Sequence, residues 1–384
     1  MKLLLFIDSL VGAGAQRQLV NLATGLRVRG HAVTVATYAP KTFFLDALRA
    51  ADVRYLNYGK AFRFDPSPAW RLGRTVSRES PDCLVAFLRT PSVYAELVKL
   101  VRPTLPLIVS ERGGVDLGGF SRADRVAGLG HRVADHVVTN SHDYLRCLVA
   151  AHPALASRSR VIYNGLSDRF LELGAARLAG QGAAAGPAEA AGPTGAVTRF
   201  CTVAARANHQ KSPMTLVRAA ATLLERGTDA FTIDWVGPVD FDAPLVRSAV
   251  REIEERGLGS RWRWAGLAAD VAEVYPRYDA LVSPSRYEGV ANTMCEAMCS
   301  ALPVVVTDVA DNARVLEGGR HGLLCPADDP AALADRMARF VAMSAAERRE
   351  LAIRARDRAT ELFSMAHYLD EWEALCASVS RKRG

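Results

Sequence analysis

Residues 283–307 read SPSRYEGVANTMCEAMCSALPVVVT, and this stretch decides the fold. An apolar run, Asp279–Ser283, ends in a loop holding Pro284, Arg286, Glu288 and Gly289. Asn292 is a residue type that caps helix starts, so a helix is expected over Asn292–Ser300. Pro303–Thr307 then reads as the next strand. Strand, loop, helix and strand in this order make a crossover unit, which belongs in a parallel sheet. Glu288 precedes the helix and Glu296 lies inside its first turns, so both carboxylates can face one ligand. A helix start offers backbone N–H groups to a phosphate, and carboxylates accept pairs of hydroxyl hydrogen bonds. Gly289, Asn292 and Thr293 complete this candidate binding set. The plain alternative is a pair of solvated glutamates.

The same alternation runs outward in both directions. Strands are expected at Leu3–Ile7, Ala32–Tyr38, Cys83–Phe87, Leu107–Ser110 and His136–Thr139. Helices are expected at Ala15–Arg29, Pro68–Arg78, Pro91–Val101, Arg122–Val133 and His142–Ala150. Residues 173–195 are Ala, Gly and Pro with few large apolar side chains, and such a segment reads as a linker. Beyond it the alternation resumes, with strands at Phe200–Ala204 and Phe231–Val236 and helices at Ser212–Arg226, Ala243–Arg256 and Pro330–Ala342. The expected architecture is two doubly wound α/β domains, 1–172 and 196–363, with ligands at the carboxyl ends of the strands.

Two further loops carry chemistry. VAARANHQKSPMTLVRA (Val203–Ala219) ends a strand and opens a helix, with Arg206 and Lys211 between them. Two cations in such a turn can grip a diphosphate. Lys211 is one of only two lysines after residue 172, among many arginines, which suggests a demand for lysine there. The plain alternative is a solvated cation, and His209 has no evident partner. VGAGAQRQLVN (Val11–Asn21) places Gly12 and Gly14 between first strand and first helix, where a ligand can approach the backbone. The third glycine of the dinucleotide pattern is missing, which argues against a dehydrogenase. Ser110-Glu111-Arg112 closes a strand, where a catalytic or acceptor-binding group would sit. Asn164-Gly165 reads as turn chemistry, and Asp240-Phe241-Asp242 as a loop acid pair more than a metal site.

Composition bounds the rest. The 384 residues are 49% apolar and 23% charged, enough for two packed cores. No run approaches the roughly 20 apolar residues of a membrane-spanning helix, and Leu3–Ile7 is too short for a signal-peptide core. A cytoplasmic protein is expected, one able to meet the inner face of the cell membrane. Seven cysteines without a Cys-x-x-Cys read as core residues in a reducing compartment. Residues 1–172 hold 23 Lys+Arg against 14 Asp+Glu, and residues 173–384 hold 25 against 27. The basic first half suits a lipid diphosphate or an anionic membrane. Nucleic acid is not expected, since no recognition motif accompanies the charge.

GAGAQRQLVNLA (12–23), AARANHQKSP (204–213), SRYEGVANTMCEAM (285–298) and HGLLCPADDPAALA (321–334) together resemble the family-four retaining glycosyltransferases of the GT-B fold, two facing Rossmann-like domains with a cleft between them. VIYNG (161–165) fits the family's turn before its second domain. The resemblance implies that Arg206 and Lys211 neutralise a nucleotide-sugar diphosphate, that Glu296 holds the ribose and Glu288 the transferred sugar. Gly14 would let the first helix approach the diphosphate, and Glu111 stands as a further catalytic candidate. It also implies transfer with retention, without metal or cofactor, the nucleotide-sugar being a substrate. A final helix near 364–384 would return to the first domain. The expected activity is transfer from a UDP-sugar to a glycan or polyprenyl-diphosphate-linked acceptor in polysaccharide or cell-envelope assembly. Three alternatives stand beside it: a soluble small acceptor, a non-catalytic nucleotide-sugar-binding subunit and an epimerase. The family often has Glu at the position of Gln16, a departure in this chain.

Overall fold

A computed structural model describes residues 1–62, 64–113, 120–121, 125–126, 128–180 and 197–381. The chain divides into two compact units. One is Met1–Gly165 together with the chain from Met365 onward, and the other is Leu166–Ser364.

The first unit is built on seven parallel strands in the order β3-β2-β1-β4-β5-β6-β7. These are β1 Lys2–Phe6, β2 Ala32–Thr37, β3 Arg54–Asn57, β4 Cys83–Phe87, β5 Leu107–Glu111, β6 His136–Thr139 and β7 Ser159–Val161. Side chains alternate between the two faces of a strand, and both faces of this sheet are covered, so its central strands read as unbroken apolar runs. Leu3, Leu5, Val33, Val35, Cys83 and Val85 face one core, with Leu19, Leu22 and Leu26 of α1 (Gly14–Val28). Leu4, Phe6, Leu84 and Ala86 face the other. There they meet Leu72 and Val76 of α3 (Ser67–Glu79) and Tyr94, Ala95 and Val98 of α4 (Arg89–Val101). Tyr144 and Leu148 of α5 (His142–Ala151) share this second core, and the short α2 (Leu45–Ala50) precedes β3.

The last helix, α13 (Met365–Arg381), belongs to the first unit and completes its first core with Tyr368, Leu369, Trp372 and Cys376. Trp372 stacks on Phe87 with centroids 5.5 Å apart, and the Arg112 guanidinium lies over both rings. Glu373 pairs with Arg29 (2.8 Å) and His31 (2.9 Å), and Arg160 with Glu371 (3.0 Å). The Gln18 amide makes two 2.9 Å hydrogen bonds with the backbone of Gly165, while the Tyr368 hydroxyl donates to Gln18 O (3.1 Å). A Cβ on Gly165 would lie 2.8 Å from the Tyr368 ring. Gly165 therefore allows close approach of α13, which is more than the turn chemistry expected of it.

The second unit has six parallel strands in the order β10-β9-β8-β11-β12-β13. They are β8 Thr198–Val203, β9 Phe231–Val236, β10 Trp262–Gly266, β11 Ala280–Ser283, β12 Val304–Thr307 and β13 Leu323–Cys325. Its helices are α6 Asp168–Leu178, α7 Pro213–Glu225, α8 Pro244–Glu255, α9 Asn292–Cys299, α10 Asn312–Val315, α11 Pro330–Ala342 and α12 Ala345–Phe363. Phe200, Ile233, Trp235, Val282 and Val305 pack against Leu216 and Ala220 of α7 and Leu333 and Met337 of α11.

Four expectations need correction. The boundary lies at 165/166, not 172, because α6 packs within the second unit. The backbone carbonyl of Cys299 comes so close to Gly174 that a Cβ would sit 2.2 Å from it, and Arg177 donates to Tyr278 O (2.8 Å). Residues 173–178, expected as linker, are thus the packed end of a helix, while 181–195 lie outside the described residues. The helix expected at Arg122–Val133 is, at its end, a 3-10 turn over Gly130–Val133; residues 122–124 and 127 lie outside the described set. Asn292 is not the cap of α9 but its first residue, and Ala291 takes the cap position.

Candidate active site

The second sheet reverses its strand order between β8 and β11, which pair directly. Chain connections diverge at such a point and leave a crevice at the carboxyl ends of the two strands. The loops that leave there are the two singled out from the sequence: Ala204–Ser212 after β8 and Pro284–Ala291 after β11.

The two loops interlock. The Arg286 N–H donates to Gln210 O (2.8 Å), and the Gln210 amide returns a bond to Tyr287 O (3.1 Å). Lys211 places its ammonium on Glu288 Oε1. Ser285 Oγ donates to the same oxygen (2.7 Å), and Gln210 Nε2 approaches Glu288 Oε2 at 3.4 Å. Thr307 Oγ1, at the end of β12, donates to Ser285 O (2.6 Å) and braces the turn. Glu288 is buried, and Lys211 is mostly so. A buried carboxylate of this kind survives only with a cation and hydrogen-bond donors around it.

Backbone geometry supports the arrangement. Ser212 has φ +46°, a left-handed conformation that costs a non-glycine residue roughly 1 kcal/mol or more. It turns the chain between Lys211 and Pro213, the first residue of α7. Asn208 Oδ1 accepts from the Lys211 N–H (3.1 Å) and fixes the same turn. Gly237 directly follows β9 at φ +139°, where a Cβ would lie 1.8 Å from Ala204 O. Only glycine lets that strand end pass the root of the Lys211 loop.

Glu296 is held apart from this pair by another partner. The Tyr275 hydroxyl donates to Glu296 Oε2 (2.8 Å) and lies 3.4 Å from Thr293 O, on the first turns of α9. Burial, then the Glu296 charge, push the Tyr275 phenol well above its ordinary range. Tyr275 is therefore a steady donor that orients the carboxylate. Arg206 sits in the β8 loop, exposed and without an ion pair among the described residues, which leaves its guanidinium available to an anion. Gly289 and Asn292 lie half-buried between Glu288 and Glu296 in the chain. His209, expected to have no partner, lies 2.7 Å from Arg286 Nη1, and Arg286 also pairs with Asp328 (2.8 Å). Ser285, Gln210 and Tyr275 were not singled out from the sequence. The Ser at 285 and the Gln at 210 sit inside the quoted motifs; Ser285 bonds to Glu288 within its own loop, whereas Gln210 reaches Tyr287 and Glu288 across 77 and 78 residues, which leaves no local signal.

In the first unit, Gly14 is the first residue of α1, with Ala13 as cap, and Gln16 donates to Asp8 Oδ1 (2.9 Å). Glu111 ends β5 and is buried. His131 Nε2 lies 3.2 Å from Glu111 Oε1, and His131 Nδ1 lies 2.6 Å from Glu96 Oε1. Tyr144 donates to Glu111 Oε2 at 3.3 Å. Burial opposes a charged imidazole, but the bonds to Glu111 and Glu96 outweigh it and raise His131 to about 9. A Cβ on Gly130 would sit 2.1 Å from Glu96 Oε2, so glycine is what admits that carboxylate. Glu111 is thus one of three members of a buried charge cluster, with His131 and Glu96. Asp240, of the Asp-x-Asp tripeptide, accepts from the Asp242 N–H (3.0 Å) in an exposed turn.

Comparison with known proteins identifies the family and the fold. The model of Glycosyltransferase Family 4 matches residues 12–170, and that of Glycosyl transferases group 1 matches residues 198–343. The chain is 36% identical over 96 residues to LpsB, the lipopolysaccharide core biosynthesis mannosyltransferase of Rhizobium meliloti, covering 23% of this chain and 27% of that one. It is 31% identical over 138 residues to the corresponding LpcC of Rhizobium leguminosarum bv. viciae, covering 36% and 39%. These matches span well under half the length of either relative. The crystal structure of HepE from Anabaena in complex with UDP superimposes with a TM-score of 0.81 at 20% identity, over 98% of this chain and all of that one. The fold is GT-B, built from two parallel-sheet α/β domains. The chain belongs to the group 1, family-four glycosyltransferases.

Proposed function

We propose that the protein is a retaining glycosyltransferase that takes its sugar from a UDP-sugar. One observation carries the reading: Lys211 and Glu288 meet at the switch point of the second sheet, and Arg206 is exposed in the same loop as Lys211. A cation there can neutralise the diphosphate as it leaves, while an acid next to it holds sugar hydroxyls. Arg206 adds a second charge, and the starts of α7 and α9 add backbone dipoles. Glu296, oriented by Tyr275, accepts the two ribose hydroxyls, and Gly289, Asn292 and Thr293 line the approach to the start of α9. Gly14 leaves the start of α1 open to a phosphate. Glu111 acts through the His131 cluster, which fixes the end of β5.

No enzyme nucleophile is required on this account. The leaving diphosphate oxygen takes the proton of the acceptor hydroxyl on the face from which it departs, so the anomeric configuration is kept. The charge stabilisation comes from side chains and helix ends, so no metal or cofactor is needed. The acceptor we propose is a glycan or polyprenyl-diphosphate-linked intermediate of polysaccharide or cell-envelope assembly, at the cytoplasmic face of the membrane. Two relatives named for lipopolysaccharide core biosynthesis and the excess basic charge of residues 1–172 support that choice.

A donor screen tests the reading. Purified protein is given UDP-, GDP- and ADP-sugars with a membrane extract, and released nucleotide is measured with and without EDTA. Release of UDP from one UDP-sugar, dependent on the extract and unchanged by EDTA, is the expected result. Release of GDP or ADP alone would reassign the donor, and loss with EDTA would overturn the metal-free account.

A further inference from the structure

Helix α4 turns Tyr94, Ala95 and Val98 onto the first sheet. Its opposite face should be polar if it met only water. Instead it presents Val93, Leu97, Leu100 and Val101, at spacing i, i+4, i+7 and i+8, with exposures of 42, 46, 64 and 81%. None of these four helps cover the sheet. Beside α4 packs α3, whose Trp70 is 61% exposed and carries the Arg74 guanidinium 4.9 Å above its ring. A groove of about 310 Å³ runs between the two helices, lined by Trp70, Gly73, Arg74, Leu97, Val101 and Arg102 among others. Arg71 and Arg78 continue the basic row along α3, and Arg74 and Arg78 have no carboxylate partner among the described residues. Phe64, 81% exposed, lies three residues before α3, and the next residue, Asp65, accepts the Tyr94 hydroxyl through its carbonyl (2.9 Å).

We infer that the α3–α4 face is a docking surface for an anionic phospholipid bilayer. The chemistry matches on three counts. An aliphatic stripe offers area to the acyl boundary, an aromatic ring suits the headgroup level, and four arginines flank them. Charge also decides between occupants: a second copy would bring four more arginines against these four. No helix among the described residues is long and apolar enough to cross a membrane, so attachment through this face is peripheral. The inference is independent of the donor chemistry, because none of these residues lies in the second unit.

Vesicle flotation of the full chain tests it. Vesicles of phosphatidylglycerol with phosphatidylcholine are compared with pure phosphatidylcholine at low and high salt. The variants are Leu97→Gln/Leu100→Gln/Val101→Gln and Arg74→Gln/Arg78→Gln. All five side chains are exposed, so the fold is retained, and thermal protection by UDP serves as the check on it. Wild type should bind the anionic vesicles at least about tenfold more tightly than neutral ones, and salt should weaken the binding. Each variant should lose about tenfold or more of that affinity with UDP protection unchanged. Wild-type binding equal on the two vesicle types would overturn the inference. So would variants that float like wild type, or a wild-type dimer that the triple variant dissolves.

Discussion

Lys211→Met is expected to lower sugar-transfer turnover by about two to three orders of magnitude and to abolish protection of the fold by UDP. The size follows from what the ammonium faces. It rests on a buried carboxylate, Glu288, whose other partners are the neutral Ser285 and Gln210. Taking the cation away removes charge stabilisation for the departing diphosphate. It also strands the carboxylate, at about 3–5 kcal/mol. The two effects are separable. Lys211→Met/Glu288→Gln replaces both partners with neutral groups and should recover most of the stability, yet stay as inactive as the single variant. Glu288→Gln alone keeps the side chain's shape and should lower turnover far more than UDP affinity. Denaturant unfolding and steady-state rates on the three proteins decide the matter. A double variant that regains turnover would mean the pair is structural only.

His131→Ala should destabilise the first unit by about 3–5 kcal/mol, among the largest single-residue effects in the chain. The imidazole lies between two buried acids, Glu96 and Glu111, and its loss leaves both without a cation. The pH profile carries the signature. His131 is raised from 6.5 to about 9, so its contribution is complete below about pH 6.5 and disappears as pH rises through about 9. A shift of that size is worth on the order of 3 kcal/mol. Wild-type stability should therefore fall across pH 6.5–9 by more than that of His131→Ala, and Glu96→Gln in the variant background should restore part of the loss. Identical slopes for the two proteins would remove the charge from the imidazole.

The alternation of apolar runs and amphipathic stretches made the central strands legible, because a parallel strand covered on both faces shows as an unbroken run of Leu, Val and Ala. Edge strands lack that signature. In β3 no residue is fully buried, and β10 reads WRWAG with arginine and alanine turned outward, so neither stood out. The end of α6 was hidden by small residues: Gly174 and its neighbours look like linker until the Cys299 carbonyl beside them is seen. Candidate site residues stood out where local order sets their place. Lys211 and Glu288 each follow a strand and precede a helix, and sheet topology does the rest. Tyr275 was not legible, since its bond to Glu296 joins a 3-10 turn to a helix with no pattern linking them. The pairing of Glu111 with His131 was missed likewise. Periodicity tells which face of an element is buried and says nothing of what it is buried against.

The most direct measurement is a crystal structure of the protein with UDP. The account predicts the diphosphate within hydrogen-bonding reach of Lys211 and Arg206, and both ribose hydroxyls on the carboxylate of Glu296. UDP bound elsewhere, or bound with Lys211 still closed on Glu288 and no cation on its phosphates, would contradict it.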